Sequence, residues 1–297
     1  MSNKRTIDTA ISTTSWWTDF SELVKFRLTL LVIFTSLMSY LITAGSTASL
    51  GIAVLLSIGG FFVAGAANAL NEVLEKEYDA LMVRTRNRPL AAGRMTTSTG
   101  VLQSGMMLLI GTVMLSAINP LTGLLGMISV VSYAFVYTPM KRYSTWAVPL
   151  GAVPGAMPAL IGCVAVNGEI TLLAVLLFAI QFMWQFPHFW AIAFLSFDDY
   201  ERAGYQFLPK DGDRIDQKLG LYALIYTSLL LVLIVPVFAM ELTNSLGLVI
   251  ISGVTIYFLY TAYRFYSSMS RPAARQLMFA SFFYLPISFG ALVISAF

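Results

Sequence analysis

Asn71 to Arg94 reads NEVLEKEYDALMVRTRNRPLAAGR, four acids and then four arginines hung on the end of an apolar run built for a membrane. Asn71, Glu75 and Asp79 recur at every fourth residue, which at about 100° per residue keeps them within an arc of about 80° on one helix face. Asn68 falls in the same arc, while Glu77, about 240° round from Asn71, faces away. Oxygen ligands in a line followed by guanidinium groups suit a divalent cation and the phosphates it neutralises. Carboxylates repel a diphosphate directly, so a bridging Mg²⁺ is expected, held by Glu75 and Asp79 with Asn71 as a neutral partner. Arg84 and Arg88, with Arg94 behind them, are the candidate phosphate clamps, and Lys141 and Arg142 approach from the next cytoplasmic loop. Arginine at a membrane edge also has a plain reading as a snorkelling, orientation-setting charge, and Arg86, Arg264, Arg271 and Arg275 fit that better.

Outward from this stretch the chain is membrane throughout. Hydrophobic residues make up 58% of 297 positions and charged residues 11%, against about 25% charged in soluble domains. The fold class expected is an all-α integral membrane protein of nine transmembrane helices bundled around a central cavity. The spans read as roughly 24–44, 50–74, 99–118, 120–139, 146–166, 170–195, 219–239, 244–264 and 277–296, most near the 20 residues a bilayer requires. Residues 1–23 form a polar tail and 24–297 a single domain.

Charge supports the segmentation independently. All 18 basic residues fall at the N-terminus or in the loops after spans 2, 4, 6 and 8, whereas the intervening loops hold only Glu169 and Glu241. Cytoplasmic loops collect Lys and Arg, so the N-terminus should be cytoplasmic and the C-terminus outside. The long loops at about 75–98 and 196–218 then face the cytoplasm as opposing halves of one site, built of helix ends and short helices. The second carries Asp198, Asp199, Glu201 and Arg202. The first 23 residues lack the apolar core of a signal peptide, which points to a bacterial plasma membrane. Cys163, alone within span 5, offers no disulfide or metal pair, and a net charge of +3 placed at the membrane edge implies no nucleic acid.

His188 is the one histidine, about eight residues from the cytoplasmic end of span 6. Gln181 and Gln185, at i−7 and i−3, are expected to share its face as a stripe pointing inward. Imidazole is a common metal ligand, and a hydrogen-bonded core histidine is the plain alternative. In span 5, Gly151 and Gly155 make a small-x3-small face for close packing beside Pro154 and Pro158, or else line a ligand pocket. Trp16 and Trp17 read as an interfacial anchor.

The Asn71/Glu75/Asp79 line, RTRNRPLAAGR from Arg84, YTPMKR from Tyr137 to Arg142, GAVPGAMPALIG from Gly151 to Gly162, PHFW from Pro187 to Trp190 and DDYERAG from Asp198 to Gly204 occur in order from about Lys25 through the ninth span. Together they resemble the protohaem IX farnesyltransferases, the haem branch of the UbiA-type intramembrane aromatic prenyltransferases. The resemblance implies transfer of a farnesyl group from farnesyl diphosphate to a vinyl group of haem B with addition of water, giving haem O and diphosphate for haem-copper terminal oxidases. It further implies Mg²⁺ as cofactor, Asn71, Glu75, Asp79, Asp198 and Asp199 as catalytic residues, and Arg84, Arg88, Lys141, Arg142 and Arg202 on the diphosphate. His188 and Gln185 would meet haem, with Tyr137 and Asn68 as further site candidates. Haem A synthase or terminal oxidase assembly factors become candidate partners. A quinone precursor or other aromatic is the alternative acceptor, and an ion-coupled transporter the remote alternative. Three positions depart from the pattern. Glu75 stands where many relatives of this type have Asp, Asp198 and Asp199 are adjacent where an Asp-x3-Asp is usual, and Lys25-Phe26-Arg27 lacks a proline between its basic residues.

Overall fold

The computed structural model describes residues 15–297 apart from residue 213. The tail expected over residues 1–23 therefore lies outside the described residues as far as residue 14; the remainder enters a helix. That helix, α1 (Trp16–Leu23), is capped by the Ser15 side chain and leaves Trp16 and Trp17 exposed. The spans follow as α2 (Phe26–Ala44), α3 (Leu50–Asp79), α4 (Thr97–Ile118) and α5 (Pro120–Val131). A π-helical segment, Ser132–Tyr137, joins α5 to the short α6 (Thr138–Met140). Next come α7 (Ala147–Asn167), α8 (Leu172–Leu195), α9 (Phe197–Arg202), α10 (Lys218–Ala239), α11 (Ser245–Ser268) and α12 (Arg271–Ala296). Among the described residues nine segments are long and apolar enough to cross a membrane.

Short loops carry the chemistry that stops and starts these helices. Side chains of Thr96, Asn119, Thr171, Asn244 and Ser270 accept from backbone N–H groups of the first turns of α4, α5, α8, α11 and α12. These bonds satisfy donors that a helix start otherwise leaves bare. Gly168, at φ 71°, ends α7 in the left-handed conformation that glycine adopts without a Cβ clash.

Two boundaries differ from the hydropathy reading. The third helix runs on to Asp79 and α12 starts at Arg271, because Ser270 caps it and Pro272 occupies its first turn. Helix length follows caps and hydrogen bonds, whereas the apolar run marks only the part matched to lipid. The second long loop also differs. Beyond α9 it forms a two-residue antiparallel hairpin, β1 (Lys210–Asp211) with β2 (Arg214–Ile215), rather than helices alone.

The third, fourth and fifth helices pack together, and α8, α10, α11 and α12 form a second group. These groups are joined through α2 against α7, with α2 also touching α3 and α12, and α7 touching α5 and α8. Small residues allow the α2–α7 approach: a Cβ at Gly162 would lie 2.1 Å from the Ser36 carbonyl oxygen. Small apolar cavities among the described residues include one of about 50 Å³ between α2, α3, α4, α5 and α7 and one of about 10 Å³ among α8, α10, α11 and α12. Neither is lined by a residue singled out above as acid, base or haem contact.

Candidate active site

The C-terminal end of α3 gathers the candidate site residues. Asn68, Asn71, Glu72, Glu75 and Asp79 are all buried there, Glu72 and Asp79 completely. A buried carboxylate needs a partner, and the partners of this face come from the loop after α3, from the segment after α6 and from the start of α2. Arg88, in the loop after α3, places a guanidinium nitrogen 2.7 Å from Asp79 Oδ2. Lys141, just after α6, puts Nζ 2.8 Å from Glu75 Oε1, in ion-pair contact without hydrogen-bond alignment. Lys25, at the start of α2, donates to Asn71 Oδ1 at 2.7 Å. Asn71 Nδ2 in turn donates to Thr138 Oγ1 at 3.0 Å. Glu72 accepts from the Leu90 backbone N–H at 3.3 Å and so fastens the arginine loop to α3.

Lys25 and Glu72 join this buried group, and the motif spacing alone did not single them out. The signal for Lys25 was its place, with Arg27, at the start of the first span. Its ammonium is pulled down to about 7 by burial and then by the Arg88 and Lys141 charges, with Glu75 and Asp79 opposing. Backbone strain accompanies it, since Lys25 adopts φ 48°. Tyr205, from the second loop, is a third addition: burial and the Glu75 carboxylate push its phenol above the usual range, so it stays a neutral donor beside Glu75.

The π-helical turn belongs to this assembly. Pro139 has no N–H with which to continue the α register, and Thr138 bonds back to Tyr133 instead, through Oγ1 at 2.9 Å as well as through its backbone N–H. That turn aims Thr138 at Asn71 and lays Tyr137 under Lys141, whose Nζ lies 4.5 Å from the ring centroid. Gly151 on α7 leaves room for the Tyr137 ring, which a Cβ there would meet at 2.6 Å.

The two long loops meet. Asp199 Oδ1 accepts from the Val83 backbone N–H at 3.2 Å and pairs with Arg202. Despite partial desolvation, these donors hold its carboxyl below the usual carboxylate range. Gln206 N–H donates to the Lys141 carbonyl at 2.7 Å, and the Tyr78 and Tyr205 rings lie 6.1 Å apart.

Several candidates sit apart from the buried group. Asn68 Nδ2 bonds to Thr29 Oγ1 and the Val24 carbonyl, tying α3 to the start of α2. Arg84 and Asp198 are exposed, as is Glu77. Arg142 is exposed too, its guanidinium 4.3 Å from the Tyr78 ring centroid. Arg94 is engaged by Asp19 and Glu22 of α1, at 2.8 and 2.9 Å, and clasps α1 to the loop. Among the described residues no three His, Cys, Asp or Glu side chains converge as a preformed metal cluster.

The polar stripe expected on α8 divides between two neighbours. Gln181 and Gln185 donate to the Gly155 and Ala152 carbonyls of α7, and Gly155 is small because Gln185 Oε1 would lie 1.9 Å from a Cβ there. His188 instead turns to α12, with Nδ1 2.7 Å from Ser281 Oγ. A separation of three residues leaves side chains about 60° apart, enough to reach different helices.

The family model for UbiA prenyltransferases matches residues 32–285. The chain belongs to the UbiA prenyltransferase family. Its relatives include proteins named protoheme IX farnesyltransferase from Christiangramia forsetii, 40% identical over 97% of this chain and 95% of that one, and from Cytophaga hutchinsonii, 42% identical over 90% and 94%. Among solved structures, a digeranylgeranylglyceryl phosphate synthase superposes with a TM-score of 0.79 at 19% identity, covering 94% of this chain and 98% of that one. A UbiA homolog from Archaeoglobus fulgidus bound to GPP and Mg²⁺ superposes with a TM-score of 0.66 at 16% identity, covering 92% and 99%. As a UbiA prenyltransferase the chain is an enzyme of the membrane, and its charged α3 end lies within the matched segment.

Proposed function

We propose that this UbiA prenyltransferase transfers the farnesyl group of farnesyl diphosphate to a vinyl group of haem B, with addition of water, giving haem O and diphosphate. The observation that carries this is full-length similarity, at 37–42% identity, to chains named protoheme IX farnesyltransferase. The buried group at the end of α3 supplies the chemistry such a reaction needs.

A metal ion fits the residues present. The donors are hard oxygens, and Asp79 Oδ1 and Glu72 Oε2 are buried without a hydrogen-bond partner. Asn71, Glu75 and Asp79 would hold Mg²⁺, which when bound neutralises diphosphate charge as the allylic C–O bond breaks. Arg88 and Lys141 stand where they can turn from carboxylate to phosphate, and Lys25 from the Asn71 amide oxygen, to stabilise the departing diphosphate. Arg84, Arg142 and Arg202 line the exposed approach. The bond electrons leave with diphosphate, the farnesyl C1 bonds to the vinyl terminal carbon, and water adds at the inner carbon with loss of a proton. His188 is assigned to the haem side, Asp198 and Asp199 to the second loop's share of the site. The active-site loops face the cytoplasm of a bacterial plasma membrane, and haem A synthase or terminal oxidase assembly factors are the partners suited to receive the product.

The test is incubation of membranes containing the protein with haem B, farnesyl diphosphate and Mg²⁺, with and without chelator, followed by mass analysis of the porphyrin. A product heavier by one farnesyl and one water, lost on chelation, is the expected result. Unchanged haem, with the farnesyl group transferred to an added aromatic acceptor and diphosphate released, would replace the haem assignment by the alternative acceptor.

A further inference from the structure

We propose that Ser281 is a positioning residue that holds His188 as the Nδ1–H tautomer, leaving the Nε2 lone pair as the atom that meets the iron of a haem acceptor. The iron contact rests on the haem reading above; the tautomer does not.

Ser281 is fully buried on α12, facing α8. Its Oγ lies 2.5 Å from the Met278 carbonyl oxygen and 2.7 Å from His188 Nδ1. A hydroxyl has one proton. Two oxygens at 2.5 Å with no proton between them would set lone pair against lone pair, so the serine proton points to Met278. Toward His188 the serine can then only accept, and Nδ1 must carry the hydrogen. A neutral imidazole has a single N–H, which leaves Nε2 bare.

The same serine also fixes the plane of the ring. Trp184, one turn before His188 on α8, donates its indole N–H to the Ser281 carbonyl at 2.8 Å. Its ring stacks on the imidazole with centroids 4.6 Å apart and planes 17° from parallel. Phe282 and Phe189 meet the imidazole edge-on at 5.3 and 5.9 Å. Ser281 thus sets the rotation and Trp184 the tilt, in apolar surroundings that offer Nε2 no competing proton donor among the described residues. Histidines that ligate metal have their second nitrogen anchored in this way, and imidazole is a common axial ligand of haem iron. Free imidazole side chains favour the opposite tautomer, so the hydrogen bond does more than join two helices.

The chain's single histidine allows a direct readout. The full-length protein, labelled with ¹⁵N in the His188 ring and held in lipid nanodiscs at neutral pH, is expected to show a protonated Nδ1 and an unprotonated Nε2. The variant Ser281→Ala should move the ring toward Nε2–H and weaken haem B binding by about 10- to 100-fold, with farnesyl diphosphate affinity unchanged; Ser281→Thr, which keeps the hydroxyl, should restore both. An Nε2–H tautomer or an imidazolium in the unaltered protein overturns the proposal, as does a Ser281→Ala ring identical to the parent. Ferric haem B added to the labelled protein should shift or broaden the Nε2 resonance. If the tautomer is as stated and that resonance does not move, the iron contact falls, and the haem assignment at His188 falls separately from the tautomer.

Discussion

At the scale of residues, the site is a set of buried charges whose partners come from different elements, and that arrangement makes distinct forecasts. Lys141 and Glu75 have side chains only 8% and 7% exposed. Removing one member of such a pair strands the other, at a cost of about 3–5 kcal/mol. Lys141→Ala should therefore lower both turnover and the unfolding free energy in micelles, whereas adding Glu75→Gln should recover much of the stability and none of the activity. Asp79→Ala removes the carboxylate that faces Arg88 and the proposed Mg²⁺; kcat should fall on the order of 10²–10³-fold with the helical circular dichroism unchanged. Normal activity in that variant would remove Asp79 from the reaction. The Asn71/Glu75/Asp79 face was legible in the sequence because helical periodicity alone puts those residues in one arc. Their partners were not, since Lys25, Arg88 and Lys141 come from three separate segments and periodicity says nothing about which cation reaches which acid. Arg94 shows the same limit: it sits in the arginine run, yet Asp19 and Glu22 of α1 hold it.

At the scale of elements, caps and close contacts decide more than hydropathy does. A Cβ at Gly162 would meet the backbone of α2, which cannot move aside like a flexible side chain, while one at Gly105 on α4 meets nothing within 4 Å. Gly162→Ala should thus cost about 1–3 kcal/mol through overpacking, and Gly105→Ala should be neutral or slightly stabilising; thermal unfolding of the two purified variants compares them directly. The α1 clasp makes a further forecast. Arg94→Ala should speed proteolysis within residues 80–95, and equal cleavage rates would show that the loop is held by Glu72 and its own turns instead. Spans were legible as apolar runs, but the π-helical turn was not. Its cause is visible in Pro139, whereas its consequence, Thr138 reaching Asn71, depends on α3 lying alongside. The split of Gln185 from His188 was hidden for a similar reason: two residues three apart look like one face until two neighbouring helices compete for them.

At the scale of the whole molecule, the one-sided distribution of Lys and Arg predicts that the loops around residues 80–95 and 196–218 lie in the cytoplasm. Cys163 is buried, so cysteines introduced at exposed Asn87 and Gly168 can be labelled against little background. Asn87→Cys should resist an impermeant maleimide in intact cells and react after lysis, whereas Gly168→Cys should react already in intact cells; the opposite pattern would invert the topology. Burial is also distributed unevenly over the nine spans. The apolar window of α7 is 78% buried, whereas those of α4 and α10 are 22% buried. Robustness to mutation should follow that division. On α4, outward side chains such as Leu102 and Leu109 are exposed on the bundle's surface, so in a membrane one apolar residue should serve as well as another and these sites are free to drift. Along α7, most positions are buried against protein, and its buried alanines, glycines and prolines leave little slack for a larger side chain. A saturation library selected for growth on the enzyme's product should record α7 as a nearly invariant post inside a far more permissive rim.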